Sequence, residues 1–255
     1  SVAGMSELLN QVTLDGVVLG EGGLGVPEEG MRRTSITTST FDASRGGFAG
    51  GMVSMQTARG NNRRGGSFSY RLDSDALQST AAATTNAFSR HQFSGSYGGP
   101  IITNKLFYNT SLQFSRNTNH RFALSFNDPL AGQRSGVAPD SIGRFLDVLE
   151  QVYRVPAFNQ TGAYDQVTDD IRLQGRVDWN ILQDRSRSQT LSVRFNTNVN
   201  TQDSTRISQL DLMQRGGEAE RNNILASATL NSRFRNNWTN ALQLSFSESW
   251  NQSLP

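Results

Sequence analysis

Long stretches of this sequence alternate apolar and polar side chains with a period of two, and the polar partners are mostly uncharged. In Gln189 to Asn200, Leu191, Val193, Phe195 and Val199 share one face, opposite Ser192, Arg194, Asn196, Asn198 and Asn200. Successive side chains of an extended strand point to opposite faces, so the pattern predicts strands with one apolar face each. Asp170 to Asn180 repeats it, with Ile171, Leu173, Val177 and Trp179 against Arg172, Gln174, Arg176 and Asp178. Asn237 to Trp250, Lys105 to Arg116 and Arg221 to Phe234 follow, and the register of the second runs on through Phe122, Leu124 and Phe126. Ser67 to Leu72 and His91 to Tyr97 complete a set of about seven strands, an all-β fold class.

Hydrophobic residues are 35% of the 255 positions and charged ones 18%, which leaves too few apolar runs for a helical bundle with a large dry core. No stretch of about 20 apolar residues occurs, which excludes a helical membrane span but not a β-barrel. Twenty-four basic residues against 22 acidic ones leave a formal charge of +2, no basic field for nucleic acid. Cysteine is absent, which removes thiolate chemistry, Cys-ligated zinc and disulfides. His91 and His120 are too far apart for an HxxH metal pair, and they read as a hydrogen-bonding rim residue and a loop residue.

The connections alternate in length. Asp73 to Arg90, Asn117 to Gln166 and Thr201 to Glu220 are long, whereas Gly98 to Asn104, Ile181 to Ser188 and Arg235 to Asn236 are short. Long and short ends therefore fall on opposite rims. Outer-membrane barrels have this asymmetry, with apolar-out, polar-in strands and aromatic girdles. A soluble sandwich or lipocalin-like barrel also alternates, but turns its apolar face inward. Alternation alone does not say which face is inside. The one-sided long loops, and polar faces built of Asn, Gln, Ser and Arg, favour the membrane barrel. On that reading an arginine at Val193 meets lipid, and one at Asn196 meets the lumen at little cost.

In the longest loop, Pro139 to Arg154 reads as a helix capped by Asp140 or Ser141, with Ile142, Phe145, Leu146, Leu149 and Val152 on one stripe. Before residue 65 the chain is Gly-dense with short strand-like pieces at Gln11 to Val18, Arg33 to Phe41 and Gly51 to Ala58, a separate small unit. Gly60 to Gly66, GNNRRGG, reads as the linker.

Motifs for chemistry are sparse. GEGGLG at Gly20 to Gly25 matches a dinucleotide fingerprint, but Pro27 and Gly30 stand where a helix must open. Asp169 with Asp170 and Glu28 with Glu29 are adjacent carboxylates that would face opposite ways on a strand, and read as solvated turn residues. No nucleophile elbow is evident between strand and helix, so an enzyme is not expected, nor a metal or cofactor. Arg172, Arg176 and Arg194, with Asp178, form a charged inward ladder on neighbouring strands. Such a ladder could contact a solute, or pair with Asp15, Glu21, Glu28, Glu29 and Asp42 of the small unit.

Three ordered stretches then resemble one family. They are VTLDGVVL at Val12 to Leu19, TSTFDASRGGFAGGMVSMQTARGNNRRGGSFSY from Thr38 to Tyr70, and SGSYGGPIITNKLFYNTSLQFSR from Ser94 to Arg116. They resemble TonB-dependent outer-membrane receptors of the Oar-like branch, which often carry a carboxypeptidase-regulatory-like domain. In that family a Gly-Gly-hydrophobic strand (Gly50 to Val53) and a Thr-x-x-Gly step (Thr57 to Gly60) end the plug, and a GGPI turn (Gly98 to Ile101) leads into a K-L-F-aromatic strand. Arg45 departs from the usual aromatic before Gly46.

The resemblance implies that residues 1–60 are the C-terminal part of a plug, 61–66 a linker, and 67–255 the first strands of a larger transmembrane antiparallel β-barrel, with a helix-containing loop at 117–166. It implies active transport of a solute (siderophore, glycan or peptide) across the bacterial outer membrane. The partners would be outer-membrane lipid and the TonB-ExbB-ExbD complex, contacted through a segment outside this internal fragment. Substrate-facing residues would be Glu21 and Glu28 at the plug apex and Arg172, Arg176 and Arg194 in the lumen. The different-class alternative is a non-transporting surface or adhesion protein that binds a partner through its long loops.

Overall fold

Seven long strands form one antiparallel sheet in strict chain order, each hydrogen-bonded to the next along the sequence. The computed structural model describes residues 11–19, 25–37, 51–77, 87–123, 136–157, 161–184, 186–207, 211–234 and 238–254. The sheet runs β5 (Gly65–Ser74), β6 (Phe88–Ile102), β7 (Leu106–Ala123), β8 (Gly162–Gln183), β9 (Ser188–Gln202), β10 (Glu218–Phe234) and β11 (Trp238–Leu254). Each of the seven alternating segments is a strand over its described residues, and most run further than the alternation predicts, while Leu124 and Phe126 lie outside the described residues. The strand ends joined by few residues, β6 to β7, β8 to β9 and β10 to β11, lie at one rim, and those joined by long connections lie at the other.

The chain before this sheet forms a separate four-stranded sheet in the order β2-β1-β4-β3. Its strands are β1 (Gln11–Leu14), β2 (Val17–Val18), β3 (Met31–Thr37) and β4 (Met52–Thr57). Leu14 pairs with Val17 across the two-residue turn Asp15-Gly16, where both φ angles are positive at 49° and 89°. Asp-Gly suits such a turn because Gly carries no Cβ and Asp tolerates the left-handed region. The piece expected as one strand from Gln11 to Val18 is therefore a hairpin. Strand β1 lies parallel to β4, which pairs antiparallel with β3.

Burial alternates along the long strands with inverted polarity. On β9, Ser192, Arg194, Asn196 and Asn198 are buried while Val193 and Phe195 are exposed. On β8, Asp170, Gln174, Arg176 and Asp178 are buried while Ile171, Leu173, Val177 and Trp179 are exposed. The polar face is covered because the four-stranded unit lies on it. Residues of that unit meet β5, β7, β8, β9, β10 and β11 through side chains of this one face. Leu14, Val17, Leu19 and Val26 form a small apolar core that closes on Leu225 of β10, the large hydrophobe among the buried residues of the polar face.

Three expectations need correction. Gly98 to Ile101 is not a turn but the end of β6, with a bulge between Pro100 and Ile102. Its glycines serve close approach, since a Cβ on Gly99 would lie 2.8 Å from the side chain of Arg64, just before β5. The single α-helix among the described residues, α1 (Pro139–Gln151), is capped at Ala138 without a side-chain hydrogen bond, not by Asp140 or Ser141, because Pro139 occupies its first turn. Its buried side chains are Ile142 and Leu146, packed with the buried Ala157 and the partly buried Leu149 and Leu212, whereas Phe145 and Val152 are exposed. Asp169 and Asp170 lie within β8, not in a turn, and both are paired. No helix of the described residues is long and apolar enough to cross a membrane, which says nothing of strands.

Candidate functional site

The covered polar face is where the charged residues singled out in the sequence converge. Asp15 stands at its centre, held by the tight turn so that its carboxylate points at the long sheet. Oδ1 accepts the Thr57 backbone N–H at 3.1 Å and Oδ2 the Thr57 hydroxyl at 2.5 Å. Two guanidinium groups approach the same carboxylate, Arg194 Nε at 3.1 Å from Oδ2 and Arg176 Nη1 at 3.6 Å from Oδ1. All three side chains are less than one-tenth exposed.

Each arginine is also fixed from its own sheet. Arg176 donates from Nε and Nη2 to the two oxygens of Asp178 at 2.8 and 2.9 Å, a bidentate pair two residues along the same face of β8. Its Nη1 donates to Thr57 Oγ1 at 2.7 Å. Ser192 of β9 donates to Asp178 at 2.6 Å, and Arg194 donates to Thr229 of β10 at 2.9 Å. Buried charges are costly unless paired and hydrogen-bonded, and here two cations meet two carboxylates, with the Thr57, Ser192 and Thr229 hydroxyls bonded around them, while Arg194 Nε faces Asp15 as an ion pair without a hydrogen bond.

The other expected pairings divide. Arg172 is not matched to a carboxylate of the small unit but to Asp170 on its own strand, Nε to Oδ1 at 2.5 Å, and Asn198 donates to the other oxygen of Asp170. Glu28 does not face the three arginines. Its backbone N–H donates to Gln113 Oε1 at 2.9 Å and its carboxylate pairs with the exposed Arg71 of β5. Glu29 accepts hydrogen bonds from Ser67 and Ser69. Gly30 sits against the sheet so closely that a Cβ would lie 2.3 Å from Ser111 Oγ, and its carbonyl accepts from Gln174 at 3.2 Å. Glu21 and Asp42 lie outside the described residues. Asn196 is 1% exposed, so the expectation that an arginine would be tolerated there fails for lack of room.

Both histidines belong to the opposite, outward face. His91 is hydrogen-bonded to the Tyr70 hydroxyl at 2.9 Å, and His120, on β7 and not in a loop, pairs with Asp165. Among the described residues no three His, Cys, Asp or Glu side chains are grouped to hold a metal ion. On the outward face of β7 and β8, rows of Leu106 with Trp179, Tyr108 with Val177, Leu112 with Leu173 and Phe114 with Ile171 end at the Arg116–Asp169 pair. That pair is bidentate at 2.7 and 2.8 Å, and its hydrogen bonds hold the Asp169 carboxyl below the usual carboxylate range and raise the Arg116 guanidinium.

The arrangement is a docking interface between two sheets, with charge at its centre and hydroxyl and amide groups around it. Asp15 is the residue that sequence reasoning underweighted, although the Asp-Gly turn signal was there to place it. The chain matches no known family model and no curated protein.

Proposed function

We propose that this chain is part of a plug-gated transporter of the bacterial outer membrane, in which the seven strands belong to a transmembrane barrel and the four-stranded unit lies in its lumen. The inverted polarity of the long sheet is the observation that carries this reading. An exposed apolar face and a buried face of Ser, Asn, Gln and Arg suit lipid outside and a hydrated lumen inside. The apolar rows from Trp179 to Ile171 span nine residues. At about 3.3 Å per residue and a tilt of about 40° they rise roughly 20 Å, near the ~25 Å band of outer-membrane barrels. Strands β5 and β11 carry unpaired edges that hydrocarbon cannot solvate, so further strands would pair with both.

In this reading the long connections are extracellular and a solute binds among them, with Glu21, Glu28 and Arg172 the candidates to touch it. Arg176 and Arg194 instead hold the unit in place, since both are buried beneath it. Release is by force: TonB, driven by ExbB-ExbD, pulls on a segment outside this chain, and the solute passes to the periplasm with no bond made or broken.

Photo-crosslinking in the full-length protein tests this. A benzophenone side chain at Val193 or Leu244 should yield lipid adducts, and one at the exposed Ser69 or Gln243, which bond Glu29 and Asp15 of the small unit, should yield adducts within residues 11–57. Lipid adducts at the inner positions, or none at the outer ones, would overturn the reading in favour of a soluble sheet.

A further inference from the structure

The two rims differ in charge balance. At the long-loop rim both signs are present: Arg116 pairs with Asp169 and Arg215 with Asp211, Arg90 lies opposite Asp73 across β5 and β6, and exposed Arg121 and Arg206 share the rim with exposed Asp75 and Glu218. At the short-turn rim Arg63, Arg64, Lys105, Arg187 and Arg233 are exposed, and none makes an ion pair among the described residues. Lys105 is the single lysine of the chain and sits in the turn between β6 and β7. In these turns the exposed carboxylate among the described residues is Asp184, itself engaged.

This rim is also held rigid. Asn62 and Asn104 exchange hydrogen bonds, side chain to side chain at 2.6 Å and backbone N–H to side chain at 2.8 Å. Asn180 N–H donates to the Lys105 carbonyl at 2.7 Å, and Thr190 donates to the Asn180 side chain at 3.1 Å. Linker, turn and the ends of β8 and β9 are thus tied into one belt. Trp179 and Trp238, 47% and 74% exposed, stand next to it on the outward face. Tryptophans beside unpaired, long basic side chains are the composition of a membrane interface, where the rings lie at headgroup level and the cations reach phosphate.

We propose that the short-turn rim binds the phosphate headgroups of anionic phospholipids in the adjoining leaflet, an inference that rests on the membrane reading above. The unmatched cations supply the charge, the asparagine belt fixes their spacing, and the tryptophans fix their depth. Polybasic segments at a bilayer surface recruit anionic lipid in this way.

The test places a benzophenone at Leu191, on the outward row beside this rim, in the full-length protein in vesicles of equimolar phosphatidylglycerol and phosphatidylcholine. Mass spectrometry of the adducts should show phosphatidylglycerol in about threefold excess. The excess should fall to parity in R63Q/R64Q/K105Q/R187Q. A benzophenone at Val199, toward the other rim, should give parity in the unmodified protein, which serves if the quadruple variant does not fold. Equal adducts of both lipids at Leu191 would overturn this inference and leave the membrane reading standing. Absence of any lipid adduct would overturn both.

Discussion

Arg194 Nε lies 3.1 Å from Asp15 Oδ2, joining the tight turn of the small sheet to the buried face of β9. Removing one partner of a buried pair leaves the other uncompensated, which typically costs about 3 to 5 kcal/mol. Asp15→Asn isolates the charge, since Asn tolerates φ of 49° and still accepts the Thr57 N–H. We expect amide exchange across β1 and β4 to speed up by about two decades, equivalent to about 3 kcal/mol. Arg194→Gln in the same background should add little, because the pair is already broken, whereas additive effects would show that the two do not interact.

Gly30 and Gly60 make a second, graded prediction. A Cβ on Gly30 meets side-chain atoms of Ser111 and Gln174, while one on Gly60 meets the Tyr108 backbone carbonyl at 2.4 Å. Side chains can retreat and a strand backbone cannot, so Gly30→Ala should cost about 1 to 3 kcal/mol and Gly60→Ala more. Ser111→Gly should restore part of the first loss and none of the second. Thermal unfolding of the four variants orders them, and equal midpoints would refute the close packing.

Alternation made the seven strands legible, because period two is dictated by backbone geometry and each strand carries it locally. Which face would be covered was not legible in any one strand, since Val193 and Asn196 alternate alike whether the apolar face is wet or dry. Leu225 shows the limit most clearly. It falls on the polar face of β10, among Asn223, Ser227 and Thr229, and only the apolar core of Leu14, Val17, Leu19 and Val26 explains it. The arginines were found by their rarity on a neutral polar face. Of their partners, Asp178 and Asp15 were among the carboxylates set against them, but the sequence could not single out Asp15, which the docking of a distant turn brings in, nor Asp170, two residues from Arg172 on the same strand.

Acid should act on the Arg116–Asp169 pair, which lies just beyond the apolar rows. Arg116 lowers the Asp169 pKa through its hydrogen bonds, so the folded value lies below the unfolded one, near 4. Stabilisation from this group is therefore fully present above about pH 4 and is lost as pH falls through the folded value. Asp169→Asn should flatten that part of the acid dependence of the thermal midpoint while leaving the neutral-to-basic side unchanged. An identical acid limb in the variant would show that the pair contributes nothing.

The sharpest prediction concerns which face meets hydrocarbon. Val193 is 46% exposed in the middle of the apolar rows, between Val177 and Ala228. If those rows meet lipid, Val193→Arg should destabilise the membrane-embedded protein by roughly 2 to 4 kcal/mol, as arginine does near a bilayer midplane. The matched control must point inward yet have room, which excludes the buried Asn196. Ser249 of β11 is exposed and shares the polar register of Asn223, so Ser249→Arg should shift stability by less than about 0.5 kcal/mol, as surface substitutions usually do. Reversible unfolding from vesicles reads both values. A tolerated Val193→Arg beside a damaging Ser249→Arg would turn the sheet inside out, and the apolar face would then be one that another protein surface covers.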